Sequence, residues 1–171
     1  MKIAVLGYSG SGKSTLARKL GEKYCADVMH LDSVHFLPGW VEREREEERN
    51  IVAGFLDGHE NWVIDGNYTK LSYERRMEEA DMIVMMLFNR FSCLCRVIKR
   101  CKKYKDKTRP DSAEGCNEKL DPEFIKWVLW GGRTKAARDR YRRLAEQYKN
   151  KVVVIKNQRQ LDAFERNGMS L

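Results

Sequence analysis

The sequence predicts an α/β domain in three layers, a five-stranded parallel sheet between helices. Three observations carry that expectation. Strand-sized apolar runs alternate with segments of helical periodicity along all 171 residues, the pattern of strand–helix–strand crossovers. The first apolar run stops abruptly in a glycine-rich turn, and helical spacing begins at once. The run Met82-Ile83-Val84-Met85-Met86-Leu87-Phe88 has no polar interruption, which suits a strand covered on both faces. No linker or internal repeat divides the chain, so residues 1–171 read as one domain.

The elements follow in order. Lys2–Leu6 is the first strand, closed by Gly7. A helix starts at Lys13 and keeps Leu16, Ala17 and Leu20 on one face. Val28–Leu31 is the second strand, closed by Asp32. Pro38-Gly39-Trp40 reads as a turn before a charged helix from Glu42 to about Asp57, whose run Glu42–Arg49 is expected to face solvent. Trp62-Val63-Ile64 is the third strand, stopped by Asp65-Gly66-Asn67, and Asp81–Phe88 is the fourth. A helix from about Phe91 runs into the basic stretch Lys99–Arg109, and residues 110–121 carry loop residues. Pro122–Trp130 and Arg133–Tyr148 read as helices, Lys151–Ile155 as the fifth strand, and Gln160–Arg166 as a last short helix.

Hydrophobic residues make up 42% and charged residues 34%, the mix of a folded globular chain. No apolar run approaches the roughly 18 to 20 residues that span a bilayer. The first residues turn polar too early for a signal peptide, so a cytoplasmic protein is expected. The five cysteines (Cys25, Cys93, Cys95, Cys101 and Cys116) are odd in number and read as reduced thiols. No C-x-x-C pair occurs, and a helix points Cys93 and Cys95 to different faces, which argues against structural zinc.

The net charge is +8 and is unevenly spread. Residues 96–109 hold eight Lys/Arg against one acid, and residues 133–143 hold six against one, which leaves the remainder net acidic. Two concentrated basic segments suit a polyanion, either a phosphate-rich small ligand or a nucleic acid.

The chemistry-bearing motif is Gly7-Tyr8-Ser9-Gly10-Ser11-Gly12-Lys13-Ser14. It satisfies G-x-x-x-x-G-K-[ST] and lies after a strand and before a helix, the context the motif requires. Glycines let the backbone curl into a nest of inward N–H groups, and the helix N-terminus adds partial positive charge. Gly7, Ser9, Gly10, Ser11, Gly12, Lys13, Ser14 and Thr15 are therefore the expected ATP cradle. Lys13 reaches the β- and γ-phosphates, and the Ser14 hydroxyl ligates Mg²⁺.

Two acids follow strands and so fall at the carboxyl edge of the sheet, where open α/β sheets bind ligands. Asp65 is expected to hold Mg²⁺ directly or through water; its bland reading is a turn former before Gly66. Asp32 can orient an acceptor, act as base toward an acceptor hydroxyl, or join the Mg²⁺ shell. It can also be a helix cap or turn residue with Ser33 and Val34. His35, Phe36 and Trp40 either wall an acceptor pocket or cover the core. Among the basic residues, Arg96, Arg100, Arg109, Arg133 and Arg138 can grip phosphoryl oxygens bidentately. Arg100 and Arg109 are assigned to the nucleotide, and Arg133 and Arg138 to catalysis beside Lys13 and Asp32.

With these residues in view, the P-loop, Val63-Ile64-Asp65-Gly66 and the basic loop before a final arginine helix resemble the adenylate-kinase-like nucleoside and nucleotide kinases. More closely, four groups of residues are similar to the bacterial topology modulation proteins. They are His30-Leu31-Asp32; Pro38-Gly39-Trp40; Trp62-Val63-Ile64-Asp65-Gly66-Asn67-Tyr68; and Arg109-Pro110-Asp111 with Glu114-Gly115-Cys116. The resemblance runs almost end to end. It implies a P-loop NTPase fold with a five-stranded parallel sheet, an Arg/Lys-rich lid over about 100–121, and Asp65 as the Asp-Gly acid near Mg²⁺. Adenylate kinases follow Asp-Gly with Phe-Pro-Arg, whereas Asn67-Tyr68 follows here. The arginine that grips an acceptor phosphate is absent from that position, and Arg75 or Arg76 would have to replace it.

The function expected is ATP- and Mg²⁺-dependent transfer of the γ-phosphoryl to a small molecule, a nucleoside or nucleotide being the first candidates. The alternative is a DNA-associated P-loop protein that affects DNA topology. No helix-turn-helix, zinc finger or aromatic single-strand platform supports it, and a lid already accounts for the basic charge.

Overall fold

The computed structural model describes residues 1–104, 115, 116 and 120–169. The expected lid, Arg109 included, lies mostly outside the described residues. The strands are β1 (Lys2–Gly7), β2 (Asp27–His30), the two-residue β3 (Phe36–Leu37) and β4 (Val41–Glu42), β5 (Trp62–Asp65), β6 (Met82–Met86) and β7 (Val152–Ile155). The helices are α1 (Lys13–Tyr24), α2 (Leu31–His35), α3 (Arg45–Gly58), α4 (Tyr73–Glu79), α5 (Arg90–Lys103), α6 (Pro122–Leu129), α7 (Lys135–Gln147) and α8 (Gln158–Arg166).

The main sheet runs β2-β5-β1-β6-β7, and all its pairs are parallel. The chain leaves β1 for one edge, returns through β5, then crosses β1 to reach β6 and β7. The carboxyl ends of β5, β1 and β6 therefore meet where the winding reverses, the place such sheets bind ligands. Ile3 to Leu6, Trp62 to Ile64 and Met82 to Met86 are all buried, so the central strands are covered on both faces as their unbroken apolar runs require. Helix α1 buries Leu16, Ala17 and Leu20, the face that the periodicity marks. Cys93 is buried and Cys95 exposed, as adjacent faces of α5 demand.

Side chains start most of the longer helices. Glu44, Asn89, Asp121, Thr134 and Asn157 accept backbone N–H bonds at the N-termini of α3, α5, α6, α7 and α8. Helix α1 has no side-chain cap; its N-cap is Gly12 with φ 98°. Its first-turn donors are left facing the glycine-rich loop.

The expected turn at Pro38–Trp40 is a 3₁₀ turn that closes an antiparallel ribbon, with Phe36 opposite Glu42 and Leu37 opposite Val41. Three details differ from expectation. Glu48 does not face solvent with the rest of its run; it is 5% exposed and bonds His35. Helix α4 has only seven residues, too few to show a period. Arg133 is not on a helix with Arg138 but in a 3₁₀ turn, Gly131–Arg133, ahead of α7. No helix among the described residues is long and apolar enough to cross a membrane.

The segment after β5 is fixed from beneath by Arg76, which is fully buried. Its Nε donates to the Leu71 carbonyl at 2.8 Å, Nη2 to the Tyr68 carbonyl at 2.7 Å, and Nη1 to the Gly66 carbonyl at 3.4 Å. Burial pushes its pKa down to about 10, so it stays charged at neutral pH and is compensated by carbonyl dipoles. Arg76→Leu keeps the packing volume but leaves three buried carbonyls without their donor. Urea unfolding should show a loss of about 3 kcal/mol with an unchanged denaturant slope. A loss under about 0.5 kcal/mol, the range of an ordinary surface change, would mean that the segment does not depend on this residue.

Candidate active site

The loop between β1 and α1 is packed too tightly for side chains at Gly7 and Gly10. A Cβ on Gly7 (φ 143°) would lie 2.3 Å from the Met86 carbonyl oxygen, and one on Gly10 (φ 77°) would lie 2.6 Å from the Cys93 carbonyl oxygen. Both positions are glycine because the loop backbone rests directly on the end of β6 and the first turns of α5.

Surrounding residues then fix the curve. Asn67 faces Gly7 with both amide atoms: its Oδ1 accepts from Gly7 N–H at 3.0 Å, and its Nδ2 donates to the Gly7 carbonyl at 2.6 Å. Tyr8 N–H donates to Met86 and Ser11 N–H to Tyr8. Arg96 donates to the Ser11 carbonyl and to Gln158 Oε1, each at 2.5 Å, with its guanidinium 4.1 Å from the Phe88 ring centroid. Partial burial lowers the Arg96 pKa. Arg133 stacks over Tyr8 at 3.8 Å and donates to the carbonyls of Val128 and Phe88 and to Cys93 Sγ. Trp127 Nε1 donates to Ser9 Oγ at 3.3 Å. The Ser11 hydroxyl is buried and has no partner among the described residues.

The charged groups sit at the mouth. Lys13 Nζ donates to the Tyr8 carbonyl at 3.3 Å across the loop. Ser14 Oγ donates to Asp65 Oδ2 at 2.9 Å, and Asp65 is 4% exposed. Its other oxygen, Oδ1, faces His30 Nδ1 at 2.5 Å. His30 and Asp65 are register partners on neighbouring strands, so the sheet itself aims the histidine. A hydroxyl and a carboxylate are hard oxygen donors of the kind that Mg²⁺ takes. Their contact at the start of an uncapped helix fits a Mg²⁺–phosphate site.

The remaining expected residues lie at varied distances from this centre. Thr15 is exposed on α1. Asp32 is exposed in α2 and accepts a hydrogen bond from the Tyr68 hydroxyl at 2.9 Å. Arg100 lies over Phe124 at 5.8 Å, joining α5 to α6. Arg138 is exposed on α7. Arg75 and Arg76 do not replace the missing acceptor arginine: Arg75 pairs with Asp57 and Glu79, and Arg76 is buried as described. Asn67, His30, Tyr68 and Trp127 complete the surroundings and were not marked as site residues by their spacing. The nearest signal was the pair Asn67-Tyr68 where the kinases have Phe-Pro-Arg.

No family model matches the chain, and no curated protein matches it. Solved structures do. The structure of deoxyadenosine kinase from M. mycoides with bound dATP aligns over 99% of this chain and 100% of its own, at 14% identity and a TM-score of 0.55. The same enzyme with products dCMP and a flexible dCDP aligns over 100% of both chains, at 13% identity and 0.51. Shikimate kinase from Bacteroides thetaiotaomicron aligns over 95% of this chain and 92% of its own, at 16% identity and 0.50. At such identities the likeness is one of fold: the chain has the three-layer α/β fold of P-loop kinases.

The amide clamp is directly testable. Asn67→Asp keeps the shape and the acceptor but removes the donor to the Gly7 carbonyl. It should cost about 1 to 3 kcal/mol of stability and weaken ATP binding, read by thermal unfolding and titration calorimetry. Unchanged values in both would show that Asn67 does not hold the loop.

Proposed function

We propose that this chain is an ATP-dependent small-molecule kinase that transfers the γ-phosphoryl group to an acceptor bound beside β2 and β5. The observation that carries this reading is the contact of Ser14 with Asp65 beside a loop that has no room for a side chain at Gly7 or Gly10. A purely structural loop has no need of a buried carboxylate aimed at the P-loop serine, whereas a Mg²⁺–nucleotide site does.

Each residue has a role in this reading. The N–H groups of residues 9, 10 and 12–14 and the uncapped start of α1 bind the phosphates, replacing water with dipoles that are already oriented. Lys13 exchanges its hold on the Tyr8 carbonyl for the β- and γ-phosphate oxygens. Ser14 and Asp65 hold Mg²⁺, directly or through water, and that ion supplies neutralisation of phosphoryl charge. His30 keeps one Asp65 oxygen occupied, so the other faces Ser14. Arg100, Arg109 and Arg138 supply the cationic flank of the transferred group. Arg133 is tied to Tyr8 and acts as a positioning residue by fixing the loop. Lys13, Asp32 and Arg138 are the proposed catalytic set within one domain whose lid spans about 100–121. The resemblance to topology modulation proteins fits this reading at the level of the shared P-loop and Asp-Gly motifs.

Lys13→Ala is expected to lower ATP turnover by about 10²-fold or more while leaving the thermal unfolding curve unchanged. ADP release measured with a pool of nucleosides, nucleotides and small hydroxyl metabolites checks it. Turnover at the wild-type rate in the variant would remove the loop from the chemistry.

A further inference from the structure

The groups beside β2 and β5 that the P-loop chemistry does not use form one connected wall. Tyr68 donates its hydroxyl to Asp32 Oδ1 at 2.9 Å. The His35 ring lies 4.8 Å from the Tyr68 ring and 4.6 Å from Phe36, and Phe36 lies 5.1 Å from Trp40. His35 is held from behind by Glu48 Oε2, 2.8 Å from its Nδ1. The wall starts close to the P-loop. Asp32 is two residues beyond His30, which touches Asp65, and Tyr68 follows Asn67, which clamps Gly7.

The carboxylates around Tyr68 in this wall, among the described residues, are Asp32, Glu48 and Asp65. Burial raises the Tyr68 pKa, and the negative charges of Asp32, Glu48 and Asp65 raise it further. Three carboxylates therefore project their field onto this one hydroxyl. Among the described residues, the arginines nearest these carboxylates are engaged elsewhere. Arg43 donates to the Val34 carbonyl and to Glu47, Arg75 faces Asp57 and Glu79, and Arg76 is buried under the segment 66–71. A phosphate monoester carries close to two negative charges near neutral pH and would be repelled. An uncharged hydroxyl would find an acceptor for its proton, and a flat ring would find aromatic faces to pack on.

We propose that this wall is the acceptor subsite and that it selects an uncharged molecule bearing a hydroxyl beside a flat ring, against phosphorylated acceptors. This rests on the kinase reading above and adds the class of acceptor. In the transfer, the acceptor oxygen forms a bond to the γ-phosphorus of ATP, and the bond to the β–γ bridging oxygen breaks. ADP leaves with that electron pair, and the hydroxyl proton passes to the Asp32 carboxylate and on to solvent. Tyr68 is a positioning residue: it occupies Asp32 Oδ1 and leaves Oδ2 for the acceptor.

Matched pairs test this: ribo- and deoxyribonucleosides beside their 5′-monophosphates, and small cyclic alcohols beside their phosphate esters. Each is offered with ATP and Mg²⁺ while ADP release is followed. In any pair that is consumed, the unphosphorylated member should be favoured by about tenfold or more in kcat/KM. Asp32→Asn should lower kcat for it by about 10²-fold with the calorimetric Kd for ATP unchanged. Tyr68→Phe keeps the ring in the wall and should lower kcat several-fold with little change in KM for either substrate. Preference for the phosphorylated members, or full activity in Asp32→Asn, overturns the proposal. So does a wild-type protein that binds ATP but consumes none of the alcohols. Failure to bind ATP at all, by contrast, strikes the kinase reading itself.

Discussion

The backbone of the loop after β1 lies so close to the end of β6 and the start of α5 that no side chain fits at Gly7 or Gly10. That contact fixes where the loop N–H groups point, and the other restraints hold it in place. Asn67 clamps its beginning, Arg96 its later carbonyl, and Arg133 the Tyr8 ring. These restraints all belong to the fold itself, so the orientation of the loop is set during folding. The Ser11 hydroxyl is buried in this loop and has no partner among the described residues.

The sheet order divides the charge around that loop. On one side of β1 stand β5 and β2 with Asp65, Asp32 and, through His35, Glu48. On the other stand β6, the helices α5 and α7 and the 3₁₀ turn before α7, with Arg96, Arg100, Arg138 and Arg133. Among the described residues, these arginines gather on one flank and the three carboxylates on the other. A nucleotide between them would have its phosphates drawn to the basic flank, while a neutral acceptor would lie on the acidic one. The buried Arg76 belongs to the acidic flank yet neutralises none of its carboxylates. It holds up the segment that carries Tyr68.

Much of this was legible in the sequence where the residues that matter are neighbours in the chain. The P-loop is contiguous, and Asp65 ends an apolar strand, so both could be placed from spacing alone. The five strands and the longer helices followed from apolar runs and from periodicity. What was not legible depends on partners far away. Glu48 looks like one more charge on a solvated helix until His35 is brought against it. Asn67 reads as a turn residue until Gly7, 60 positions earlier, is found between its amide atoms. Arg133 looks helical because its neighbours are, but the Gly131-Gly132 pair before it makes a 3₁₀ turn in which Trp127 covers both glycines.

In the proposed reading, residues 7–14 with Asp65 form a Mg²⁺-dependent nucleoside triphosphate site. Titration calorimetry of ATP into the intact protein, with Mg²⁺ and then with EDTA, tests this. Binding should saturate at one site per chain, be competed by ADP and weaken about tenfold or more without Mg²⁺. Absence of binding at millimolar ATP, or equal binding with and without Mg²⁺, would contradict it.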